Sequence, residues 1–115
     1  MKYLLLIYAD EGGFEGLSDD ERKAVYEEYD AFANDLAAKG QMLGGHELQP
    51  TATATTVRIR EGERLVTDGP FTETKEALGG YFLVDVDDLD AAIEAAARIP
   101  GAKTGSIEVR PVVDG

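Results

Sequence analysis

Two stretches of this chain carry apolar side chains on both faces of an extended strand, and that property limits what the chain can fold into. Over residues 2–9, Tyr3, Leu5 and Ile7 alternate with Leu4, Leu6 and Tyr8, so a strand here presents apolar groups in both directions. The run Tyr81-Phe82-Leu83-Val84 repeats the pattern. An antiparallel strand covered on one side only alternates apolar with polar residues. Both faces of these two strands therefore need cover.

Helices supply part of it. After a loop containing Gly12, Gly13 and Gly16, the run Ser18-Asp19-Asp20-Glu21 has the form of a capping box, in which the serine and the glutamate three residues on satisfy orphan amides. The helix it opens runs to about Lys39, with Gly40 as a left-handed cap. Its stripe of Val25, Tyr29, Phe32 and Leu36 is one face for one sheet. A second helix begins near Asp87 or Asp88, presents Leu89, Ala92, Ile93 and Ala96, and stops at Pro100.

The remaining strands are a glycine-interrupted segment at 41–48, ended by Pro50, and a last segment from Ser106 to Val113 showing Ile107, Val109 and Val113 on one side. Between them, residues 55–60 and 64–67 flank Glu61-Gly62-Glu63 as a hairpin. The order β-α-β-β-β-β-α-β is, without the hairpin, a ferredoxin-like split βαβ pair. The expected fold class is α+β, an antiparallel sheet with two helices on one face and an extra β-hairpin. No third long helix is available for the second face. A homodimer pairing two helix-free sheet faces is the economical cover.

At 115 residues with 43% hydrophobic and 30% charged side chains, residues 1–115 form a single globular domain. The absence of cysteine excludes disulfides, thiolate metal sites and cysteine nucleophiles, and fits a cytoplasmic location. The first apolar run is too short to span a bilayer, and Asp10-Glu11 follows it where a signal peptide would place small residues. A net charge of −12 opposes direct nucleic-acid binding, and acidic neighbours interrupt Arg58, Arg60, Arg64 and Arg110.

The segment Val66-Thr67-Asp68-Gly69-Pro70-Phe71-Thr72-Glu73-Thr74-Lys75-Glu76, followed by Gly79-Gly80-Tyr81, resembles the DGPF branch of the YCII-related domain family. The opening Met1 to Tyr8, the stretch Leu48 to Arg58 and the tail Gly105 to Pro111 carry the same likeness, so it extends over essentially the whole chain. The resemblance implies a dimeric α+β barrel of unknown function. A histidine and an aspartate recur in the wider family and imply enzymatic activity, although that arrangement has no matching local motif here. Some DGPF members are fused to sigma-factor-like domains, which implies a regulatory context.

Asp68-Gly69-Pro70-Phe71 has turn chemistry: Asp accepts local amides, Gly permits positive φ and Pro fixes the next φ. Phe71 is then expected to plug the turn into the core. A ligand-facing role would instead draw on Gly69, Pro70, Phe71, Gly79, Gly80 and Tyr81, with Lys75 placed to neutralise an anion. His46, the only histidine, is the candidate general base by elimination, and Asp68 the group that would orient it. The cluster Asp85 to Asp90 reads as a helix start rather than a metal site, since it lacks the glycine and distal glutamate of a calcium loop. No dinucleotide or phosphate-loop motif is present, so no cofactor is expected. Two functions compete: a homodimeric small-molecule-binding or regulatory module, and a cofactor-free enzyme of isomerase or lyase type using His46 and Asp68.

Overall fold

The capping box closes as the residue types require. In the computed structural model, which describes residues 1–114, Ser18 Oγ accepts from the Glu21 amide at 3.1 Å and Glu21 Oε1 accepts from the Ser18 amide at 3.0 Å. These bonds start helix α2 (Asp19–Ala38). Gly40, at φ 71, ends it in the left-handed region that only glycine enters without cost.

Four strands form the main sheet: β1 (Lys2–Ala9), β2 (Met42–Glu47), β5 (Ala77–Asp85) and β6 (Ser106–Pro111), in the spatial order β2-β5-β1-β6 with every neighbouring pair antiparallel. Helix α3 (Leu89–Ala97) precedes β6. This is the ferredoxin-like order expected, with the two apolar strands β1 and β5 at the centre. The hairpin, β3 (Thr55–Arg60) and β4 (Glu63–Asp68), is a separate two-stranded sheet. Its turn places Glu61 and Gly62 at φ 51 and 78, the consecutive positive values of a type I′ turn.

The register assigns each face. Leu5 lies opposite Phe82 and Val109, and Tyr3 opposite Val84. These residues point toward the helices and meet Phe32, Leu36, Ala92, Ala95, Ala96 and Ile99 in one core. Leu5, Leu36, Val84 and Ile99 are fully buried, each stabilising the fold by about 1.5–3 kcal/mol. Alanines on α3 let that helix approach the sheet closely.

Leu4, Leu6, Tyr81 and Leu83 share the opposite face, and all are only half-buried. No helix covers them. The molecule measures 47 × 43 × 18 Å and its radius of gyration is 16.1 Å, against about 13 Å for a compact chain of this length. Flatness and the projecting hairpin account for the excess.

Several local expectations need correction. Residues 11–15, read as loop, form a short helix α1 (Glu11–Glu15) because Asp10 caps it, accepting from the Gly12 amide at 3.0 Å. Strand β5 begins at Ala77 rather than Tyr81, because pairing with both β1 and β2 overrides the low strand preference of Gly79 and Gly80. Gly80 allows a close approach there: a Cβ would lie 3.0 Å from the His46 carbonyl oxygen, a tight contact. On α3 the buried residues are Ala92, Ala95 and Ala96, while Leu89 and Ile93 are exposed. Strand β6 ends at Pro111, which leaves Val113 in solvent.

Candidate functional site

The Asp68–Lys75 segment forms one wall of a groove, and α1 forms the other. Gly69 adopts φ 92, which turns the chain out of β4 before Pro70. Its amide donates to the Ala54 carbonyl at 2.7 Å, and its carbonyl accepts from Thr56 Oγ1 at 2.8 Å. The turn is thereby fixed to the base of the hairpin. Further along, Thr74 Oγ1 donates to the Glu76 carbonyl at 2.6 Å, and Ser106 Oγ donates to Glu76 Oε1 at 2.8 Å.

The α1 wall is fastened at both ends. Glu11 accepts from the Thr51 amide at 2.8 Å and from Thr51 Oγ1 at 2.9 Å. Arg22, on α2, donates to the Glu15 carbonyl at 2.6 Å and to the Phe14 carbonyl at 3.4 Å, so it caps the end of α1. Its guanidinium also lies 5.8 Å from the Phe14 ring centroid. Phe14 in turn packs edge-on against Tyr26 at 5.8 Å. Tyr26 donates to Glu47 Oε1 at 2.9 Å, a bond that holds the phenol pKa above its ordinary value.

Between these walls lies a groove of about 550 Å³, within the size range of small-molecule sites. Gly69, Pro70 and Lys75 line it, joined by Asp10, Glu15 and Glu73. Asp10 and Glu15 enter the site because residues 11–15 are helical, a feature that the glycines at 12, 13 and 16 obscure in the sequence. The signal was present, since an aspartate two residues before a glycine is a helix-capping or turn arrangement.

The other candidate residues lie elsewhere. Phe71 is 74% exposed and does not enter the core; Gly69 and Pro70 turn the chain so that the ring projects outward. Gly80 is a ladder residue in β5, opposite Ile7 and Glu47, and Gly79 lies at the irregularity where the β1–β5 register shifts. Tyr81 faces the helix-free side, opposite His46 on β2, with the two ring centroids 5.9 Å apart. His46 and Asp68 stand in different sheets, both exposed, and no hydrogen bond joins them. Of the acidic cluster, Asp88 caps α3 by accepting from the Ala91 amide at 2.9 Å, and Asp85 accepts from the amino terminus at 3.0 Å. No group of three or more histidine and acidic side chains among the described residues is placed to hold a metal ion. Among the described residues no helix is long and apolar enough to cross a membrane.

The topology and the inserted hairpin define a small α+β domain of ferredoxin-like order. The chain belongs to the YCII-related domain family, whose sequence model matches residues 1–114. It is 39% identical over 114 residues to an uncharacterised protein of Rhizobium meliloti (strain 1021), a match covering 97% of this chain and 92% of that protein. The likeness read from the motifs is thus borne out at the level of the family, and neither finding attaches an activity to it.

Proposed function

We propose that this protein is a homodimeric module that binds a small molecule in the groove between α1 and the 69–77 segment. The observation that carries the reading is the groove itself. Its two walls come from distant parts of the sequence, and each is held by side-chain hydrogen bonds that leave the space between them open. Asp10, Glu15 and Glu73 outnumber Lys75, so the groove favours a cationic or neutral polar molecule over an anion.

The dimer is supported by the half-buried apolar face of Leu4, Leu6, Tyr81 and Leu83. Face-to-face packing of two such sheets buries it without any other partner. The acid–base alternative requires His46 and Asp68 within hydrogen-bond reach, and a single chain does not hold them together.

Thermal-shift measurements against small amines, amides and sugars, with organic anions as the contrasting set, test the groove. Stabilisation by members of the first set, abolished by Glu73→Gln, is expected. A flat response to every compound at millimolar concentration would rule the groove out as a ligand site. Sedimentation equilibrium tests the dimer separately, and a monomer at all concentrations would remove it.

A further inference from the structure

The β3–β4 hairpin is an arm without a cis support. Every residue of β4 is exposed, and Val57, Ile59 and Val66 are each 58–60% exposed. The register sets Val57 opposite Val66 and Ile59 opposite Arg64, so these three apolar side chains share one face of the ribbon. A lone two-stranded ribbon is marginally stable in water at best. Contiguous apolar surface of this kind on a projecting element marks a contact.

The arm also differs from the body in charge. Three arginines, Arg58, Arg60 and Arg64, offset Glu61, Glu63 and Asp68 within residues 55–68, so the net −12 resides on the remainder of the chain. Arg60 and Arg64 form no ion pair among the described residues; Arg60 donates only to the carbonyl of its neighbour Ile59. A neutral, arginine-bearing ribbon beside a strongly acidic body is complementary to another such body.

We infer that the arm is a clasp for a second copy of this chain. Its Val57-Ile59-Val66 face lies on the partner, and Arg64, which the register sets on that same face opposite Ile59, reaches the partner's acidic surface. The inference rests on the dimer reading above and adds the element that secures it. Two bodies of charge −12 repel one another, and a neutral arm that brings the unpaired Arg64 guanidinium to the acidic surface offsets that repulsion. Area is available as well: the molecule's outline is 47 × 43 Å, and even half of it exceeds the roughly 800 Å² per partner of a standard interface.

The test uses the full chain in sedimentation velocity over a dilution series, with Arg64→Glu and Val57→Ser/Val66→Ser as separate variants. Each is expected to weaken dimerisation at least tenfold, with far-UV circular dichroism and the melting of the body unchanged. A wild-type dimer that both variants match within twofold would overturn the clasp and leave the dimer standing. A wild-type monomer would remove both. If a variant melts, an otherwise native chain carrying Val66→Cys answers instead, because the protein has no other cysteine. A photo-cross-linker attached there is expected to join two chains; adducts confined to one chain refute the clasp.

Discussion

His46 on β2 lies directly opposite Tyr81 on β5, and their rings sit 5.9 Å apart on the sheet face that no helix covers. Tyr81 in turn lies opposite Leu6 across the β1–β5 ladder. The histidine therefore belongs to the rim of an apolar patch rather than to the groove lined by the Asp68–Lys75 segment.

Leu6→Glu places a carboxylate in the middle of that patch. The core on the helix side is untouched, so the chain is expected to keep its circular dichroism spectrum. Affinity in the proposed dimer is expected to fall 100-fold or more, since an unpaired buried charge costs several kcal/mol, about 3–5 in comparable cases. Analytical ultracentrifugation reads the change.

Leu36 is fully buried where α2 meets the sheet. Leu36→Ala is expected to destabilise the fold by about 2–5 kcal/mol through lost burial and the residual cavity. Urea denaturation followed by circular dichroism measures it, and a loss under 1 kcal/mol would mean that α2 does not pack as described.

Adjacent glycines in β2 are expected to respond differently. A Cβ on Gly45 would meet Phe82 Cδ1 at 2.5 Å and the Tyr81 carbonyl oxygen at 2.8 Å, whereas one on Gly44 meets nothing within 4 Å. Gly45→Ala should cost about 1–3 kcal/mol through overpacking. Gly44→Ala should stay within about 1 kcal/mol of the parent. Chemical denaturation of the two variants under one set of conditions makes the comparison.

Arg22 joins α2 to the last carbonyls of α1. Arg22→Ala is expected to release α1, with faster amide exchange over residues 13–17 and unchanged exchange in β1 and β5. Hydrogen exchange read by mass spectrometry resolves those segments. Ligands that stabilise the parent should lose affinity in this variant, because one wall of the groove is then no longer held.

Asp35 accepts from Arg98 Nη1 at 2.7 Å and from Lys39 Nζ at 3.2 Å. The Arg98 hydrogen bond, followed by that from Lys39, holds its carboxyl below the ordinary value of 3.8. A depressed folded-state pKa contributes stability that is present above the unfolded value and is lost as pH falls through the folded one. The parent is therefore expected to exceed Asp35→Asn in stability at neutral pH, and the gap should close below the ordinary carboxylate range. Denaturation curves for both proteins across that pH interval test the sign.

Much of the architecture was legible from side-chain periodicity and turn chemistry. Ser18 and Glu21 announce the start of α2, Gly40 its end, and Glu61-Gly62 the hairpin, because each depends on hydrogen bonds or dihedral angles set within a few residues. The apolar alternation of residues 3–8 and 81–84 placed these strands at the centre of a sheet with one face left over. The site was less legible. The turn chemistry of Asp68-Gly69-Pro70 points Phe71 into the core, yet the ring projects outward, and glycines mask the aspartate that caps α1.

What the sequence by itself determined is local: the elements, their order and the two-sided character of β1 and β5. What only the tertiary structure decided is which of them meet. Glu11 reaches Thr51 across 40 positions, and Arg98 reaches Asp35 across 63. His46 and Asp68, both plausible partners on chemistry, fall in separate sheets. Propensity and periodicity act over one or two turns of chain, whereas a groove or an ion pair depends on the packing of whole elements. That packing is set by the sum of many weak contacts rather than by any motif.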